Sequence, residues 1–249
     1  MTAYQRLPNA PYTPVRHIAA GPVRPNAFVD IAWIDHRGLP AWDRRALPDT
    51  PEMEDAVSGF ARGTMLRGPS GPVAVEDLVP GDHVAVRGGG TARVDWIGAR
   101  SYPSGARRPT FYRVAAHAFG ASGPETDVLL GATAHVLLHS AHNVPLVGGP
   151  LAFAPVAAFA DGHRVAAVTP PGEVTVYGIA CRGQEAVLAA GMALESYHPA
   201  RATRCRLTRT VLADMAQLLP QTANGAGFGA PRVPHLTASE AAGLALAGI

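Results

Sequence analysis

Val75-Glu76-Asp77-Leu78-Val79-Pro80-Gly81-Asp82-His83-Val84 is the stretch on which the fold turns. It joins one apolar strand to another through two acids and a Pro-Gly turn. Pro80 presets φ and Gly81 accepts the positive φ of a type II turn, while Asp82 can stabilise the turn through its carboxylate. The same grammar continues on both sides. Pro72 to Val75 and Val84 to Arg87 read as strands, and Gly88-Gly89-Gly90 tolerates the positive φ of a hairpin that leads into Ala92 to Ile97. Further strand-like runs are Phe111 to Ala115, Val128 to Leu130, His135 to His139 and Glu173 to Ile179. Many short strands with short connections from Gly59 to about Leu207 predict an all-β core. No fixed-period repeat indicates a propeller or solenoid.

The flanks differ in character. Residues 1–56 alternate prolines with short apolar pieces and read as an extended arm with one or two short strands; Phe28 to Ile34 is positioned to add a strand to a sheet edge. Residues 208–249 hold an amphipathic helix over Thr208 to Leu219, ended by Pro220, then a Gly-rich link over Asn224 to Gly229. A capping box, Thr237 to Glu240, opens a final helical run. The expected organisation is therefore an arm over 1–56, a β domain over 57–207 and a helical tail over 208–249.

Composition excludes several classes. With 27 Gly and 23 Pro among 249 residues, turn formers are abundant, yet 47% hydrophobic against 16% charged residues gives ample material for one core. The net charge is +2 and every basic residue is Arg, so no strong pull toward nucleic acid or a membrane is expected. Met1 to Pro14 lacks the apolar run of a secretory signal, which leaves the cytoplasm as the default compartment. Residues 144–160 are uncharged, but Pro145, Pro150 and Pro155 interrupt them, against a membrane helix. Two cysteines, Cys181 and Cys205, cannot build a disulfide framework, and both are expected to pack rather than react.

Phe60-Ala61-Arg62-Gly63-Thr64, the Val75 to Val84 stretch, Trp96-Ile97-Gly98, Arg108-Pro109, Thr133-Ala134-His135 and Ala189-Ala190-Gly191-Met192-Ala193-Leu194-Glu195-Ser196-Tyr197 follow one another at set separations. In that order they resemble the bacterial Hint (hedgehog/intein) domain, over about Val57 to Arg206. The resemblance implies a horseshoe-shaped, pseudo-barrel β fold whose substrate is its own polypeptide and which needs no cofactor. A Cys, occasionally Ser, at the first position attacks the preceding carbonyl, and a histidine protonates the leaving amine.

Against that pattern, Gly59 stands where the nucleophile belongs. His135 stands at the histidine position, but Ala132 replaces the Thr or Ser three residues before it. Gly178 and Gln184 stand where two further histidines are expected. The resemblance therefore implies a scaffold that keeps its shape and has lost its reaction, since residues acting as a unit fail as a unit. The alternative is residual autoproteolysis at the Val57 to Phe60 junction by Ser58 with His135, which requires a bulge at Gly59 to turn Ser58 inward. A vacated concavity beside His135 is a further binding-site candidate.

Other features carry weaker signals. His135, His139 and His142 have metal-like spacing on a helix, but Val136-Leu137-Leu138 reads as strand, which separates His142 from the other two, so no metal site is expected. Arg201, Arg204, Arg206 and Arg209 cluster without aromatic interleaving, so no nucleic-acid site is expected; a protein partner is left open. Asn224 to Gly229 lacks the strand-loop-helix context of a phosphate loop.

Overall fold

The computed structural model describes residues 26–105, 108–120, 123–200, 208–224 and 227–246. Cys205, Arg201, Arg204 and Arg206 lie outside the described residues, as does Met1 to Pro14. In chain order the strands are β1 (Asn26–Ile34), β2 (Pro40–Pro48), β3 (Phe60–Ala61), β4 (Met65–Gly68), β5 (Gly71–Ala74), β6 (His83–Ala85), β7 (Thr91–Tyr102), β8 (Phe111–Val114) and β9 (Val128–Leu130). They continue with β10 (His135–His139), β11 (Leu151–Pro155), β12 (Val165–Val168), β13 (Val174–Cys181), β14 (Ala186–Ala189) and β15 (Met192–Glu195). The helices are α1 (Pro51–Val57), α2 (Val144–Val147), α3 (Arg209–Leu218) and α4 (Ala238–Leu246).

Among the described residues two open, antiparallel sheets form. The first runs β12-β8-β9-β3-β13-β7-β1-β2, with β6 also paired to β7; the second runs β11-β10-β15-β14-β4-β5. The turns behave as their residues dictate. Gly88, Gly89 and Gly90 all take positive φ in the β6–β7 hairpin, Gly81 does so after Pro80, and the Asp82 carboxylate accepts from the Val79 N–H at 2.9 Å. Glu76 accepts from Gly63 N–H at 2.8 Å, tying the two-acid loop to the turn after β3.

Strand β7 is the partition of the molecule. Successive side chains on a strand point to opposite faces, and here both faces are covered. Ile97 joins the main core with Phe60, Leu130, Ile179 and Leu194, whereas Trp96 enters a second core with Val29, Ile31, Met53, Val57 and Leu218. The Trp96 indole lies over Gly98, where a Cβ would fall 2.4 Å from the ring, which explains the Trp-x-Gly spacing. Its Nε1–H donates to Leu218 O at 2.8 Å, satisfying a carbonyl orphaned at the end of α3.

That second core is made by the flanks. β1 pairs with β7 in the register Asp30 to Ala99 through Trp33 to Trp96, so the strand expected from Phe28 to Ile34 is indeed added to a sheet. Residues 51–57, within the stretch read as an extended arm, instead form a helix. Thr50 caps it by accepting from Met53 N at 3.2 Å, Pro51 occupies the first turn where no N–H is needed, and Glu52 and Glu54 face the positive end of the dipole. The tail shows the expected capping box: Glu240 N donates to Thr237 Oγ1 at 3.2 Å and Thr237 N to Glu240 Oε2 at 2.6 Å.

His198 is 2% exposed at the rim of the second core. Its Nδ1 accepts from Ala200 N–H at 3.1 Å, which leaves Nε2 as donor to Phe228 O at 3.2 Å. Burial holds its pKa below the usual imidazole value. The unfolded chain therefore binds a proton that the native state refuses, so stability falls as pH drops below about 6.5 toward the depressed native pKa. The urea midpoint is expected to fall between pH 7.5 and 5.5, and to fall less in His198→Asn, whose amide oxygen can accept from Ala200. An identical decline in both proteins would remove His198 as its source.

Candidate functional site

Helix α1 ends at Ser58, whose N–H donates to Glu54 O at 3.0 Å, and the chain then dives through Gly59 into β3, between β13 and β9. Two glycines make that passage. A Cβ on Gly178 would fall 1.8 Å from Ala56 O, and one on Gly131 would fall 1.9 Å from Ser58 O. Both contacts are with backbone that cannot swing aside. Gly178, one of the two positions where the resemblance calls for histidine, thus admits no side chain while α1 is docked.

The peptide units on either side of Gly59 are held from the loop before β10. Thr133 N–H donates to Ser58 O at 3.2 Å and Gly131 N–H to Gly59 O at 3.3 Å. Gly59 has open room: a Cβ there would meet only Tyr177 O, at 3.7 Å. The Thr133 hydroxyl donates to Asp55 O at 3.2 Å, and Thr133 O pairs with His135 Nδ1 at 2.8 Å. With a carbonyl as partner, Nδ1 carries the hydrogen and Nε2 is the basic nitrogen of neutral His135.

The Ser58 hydroxyl is fully buried and donates to Glu54 Oε1. Glu54 Oε2 in turn accepts from Tyr102 OH at 2.5 Å and Arg100 Nη1 at 3.0 Å. Arg100, 8% exposed, also grips Asp49 through two bonds of 2.8 and 3.0 Å and lies 4.5 Å from the Tyr102 ring centroid. Burial, then the Glu54 charge and hydrogen bond, push the Tyr102 hydroxyl pKa up, so it remains a donor. The hydroxyl and the carbonyl of Ser58 are thus engaged by separate partners, one from α1 and one from the Thr133 loop.

Sequence reasoning missed this Asp49, Glu54, Arg100, Tyr102 network. Glu54 and Ser58 are four apart, which one helical turn would align, but α1 itself was not foreseen. The remaining positions resolve simply. Cys181 is 2% exposed, and burial, with the nearby Glu185 charge, pushes its thiol up to about 12, leaving no thiolate to react at neutral pH. His135 and His139 lie in β10, whereas His142 lies in a 3-10 turn beyond it. Beside His135, where a concavity was expected, stands the ring of His235, edge-on with centroids 5.7 Å apart. Cavities of about 420 and 690 Å³ lie elsewhere, the first lined by Ile34, Arg93 and Gln221, the second by Met65, Leu66 and Glu125.

The Hint_2 family profile, described as Hint domain, matches residues 58–201, beginning at the residue before this glycine. The chain belongs to the Hint domain family. Among solved structures, the bacterial intein-like domain from Clostridium thermocellum is 15% identical, with a TM-score of 0.40, and the match covers 56% of this chain and 99% of that one. The Msm DnaB1 intein splicing domain bound with zinc is 20% identical, with a TM-score of 0.34, covering 55% and 99%. A search of curated proteins finds no significant match. The Hint domain here is bordered by β1, β2 and α1 before it and by α3 and α4 after it. No helix among the described residues is long and apolar enough to cross a membrane.

Proposed function

We propose that this Hint domain retains the scaffold of a self-processing domain without the reaction, and serves as a structural or binding module. One observation carries the reading: Gly59 follows the carbonyl that a first-position thiol would attack, and it has no side chain. Beside that carbonyl, Thr133 N–H donates to Ser58 O and Thr133 O pairs with His135 Nδ1. Ser58 is a poor substitute, because its hydroxyl is spent on Glu54, a carboxylate already loaded with donors from Tyr102 and Arg100. On this reading the own chain is the ancestral substrate and no cofactor takes part.

The purified chain, incubated with dithiothreitol or hydroxylamine and denatured before mass spectrometry, is expected to remain at 25.8 kDa. Fragments of about 6 and 20 kDa, as a cut near residue 58 would give, would establish residual autoproteolysis by Ser58 instead.

A further inference from the structure

Residues 232–236 lie beyond the family match and run along β11, an edge strand of the second sheet. Phe153 N–H donates to Pro234 O at 2.9 Å and Leu236 N–H to Phe153 O at 2.8 Å, so the segment joins the edge as a parallel bridge. Gln184, 3% exposed, reads the backbone beside it. Its Oε1 accepts from Arg232 N–H and Val233 N–H, each at 2.8 Å, and its Nε2 donates to Val233 O at 3.0 Å and Glu195 Oε1 at 2.9 Å.

Side chains are read as well. Arg232 Nη2 donates to Gln184 O at 2.8 Å and to Glu185 Oε1. His235 Nε2 meets buried Glu195 Oε1 at 2.7 Å, and its ring packs against Phe153, with centroids 5.8 Å apart, and edge-on against His135. Leu236 is 3% exposed in the main core.

We propose that this groove is a peptide-binding site occupied in cis by Arg232 to Leu236, and that it selects extended chains carrying arginine and, three residues on, histidine followed by leucine. A single buried amide uses both its donor and its acceptor on the main chain of the segment, which fixes the segment's register along the edge. Emptied of this segment, Gln184 would lose three of its partners and Glu195 its histidine, so the groove holds a set of donors and acceptors that an extended chain satisfies. Charge agrees with the assignment at Arg232, which faces Glu185, while His235 Nε2 is hydrogen-bonded to Glu195. Main-chain pairing at an edge strand supplies affinity and the side-chain contacts supply selection. The site goes beyond the functional reading above and stands whether or not the chain can cleave itself.

The test uses the full-length chain with a specific protease site inserted after Asn224. After cutting, the C-terminal piece is expected to co-elute with the body, and a labelled synthetic peptide of residues 228–246 to exchange into its place. Gln184→Leu is expected to weaken peptide retention at least about tenfold, as loss of two or three hydrogen bonds implies. On the wild-type body, peptides with Arg232→Ala or His235→Ala should compete at least about tenfold less well. The proposal fails if the tail elutes apart from the cut wild-type body when no competing peptide is present, if Gln184→Leu holds the peptide as tightly, or if a scrambled peptide competes equally. Should Gln184→Leu not fold, the competition series on the wild-type body decides alone.

Discussion

Gly59→Cys is expected to turn an inert chain into one that cleaves itself at the 58–59 junction. The substitution fits: the nearest atom to a Cβ at residue 59 is Tyr177 O at 3.7 Å, and the backbone there is not in the left-handed region. A thiol at this position would attack Ser58 C=O, which already accepts a hydrogen bond from Thr133 N–H that would strengthen as charge develops on the oxygen. The C–N bond breaks as the C–S bond forms, and the proton lost by the thiol is returned to the residue 59 amine, a transfer that the family resemblance assigns to His135. Dithiothreitol or hydroxylamine then opens the thioester, giving pieces of about 6 and 20 kDa in a denaturing mass spectrum. Adding His135→Ala should slow this cleavage by about 100-fold, the low end for a general acid. If Gly59→Cys folds yet stays at full mass, the changes at Ala132, Gly178 and Gln184 also block the reaction, and sulfur is not the single missing part.

Gly178→Ala should be among the most damaging one-carbon additions at the described glycines. The added methyl would sit 1.8 Å from Ala56 O and 2.8 Å from its carbon, so α1 must leave its seat or β13 must bend. Overpacking against backbone of this kind costs at least about 3 kcal/mol, or about 6–12 °C in Tm for a chain of this size. Gly131→Ala, with its methyl 1.9 Å from Ser58 O, should behave alike. Gly243→Ala supplies the contrast: it lies in α4 with nothing within 4 Å, and is expected to stabilise by about 0.5–1 kcal/mol through helix propensity. Equal melting temperatures for Gly178→Ala and the parent would show that α1 does not occupy the passage described.

Local chemistry was readable in the sequence wherever a few neighbouring residues decide the outcome. The glycine hairpin at 88–90, the Pro80-Gly81 turn, α3 and the Thr237 capping box all follow from adjacent side chains, as do the strands from Val128 to Leu130 and His135 to His139. Helix α1 was legible in principle, because Thr50-Pro51-Glu52 is a start signal, but the density of prolines around it suggested an extended chain. What could not be read was set by distance along the chain. Arg100 meets Glu54 and Asp49 across 46 and 51 residues, and Gln184 meets Arg232 across 48. The need for glycine at 131 and 178 is also long-range, since it comes from carbonyls of another segment rather than from φ. The site was half visible for the same reason: Gly59 and His135 sit within motifs, whereas Glu54, Tyr102 and His235 reach it only through the fold.

The pairing of β1 with β7, together with the apolar side of α1, has a consequence for what severing the 58–59 bond could accomplish. The upstream piece is woven into the partition strand along four register pairs and seated through Met53, Ala56 and Val57. A break in the backbone would therefore not amount to liberation of a product. The halves would persist as a nicked heterodimer, and two separately made polypeptides divided at that point would be expected to reassemble into the same body.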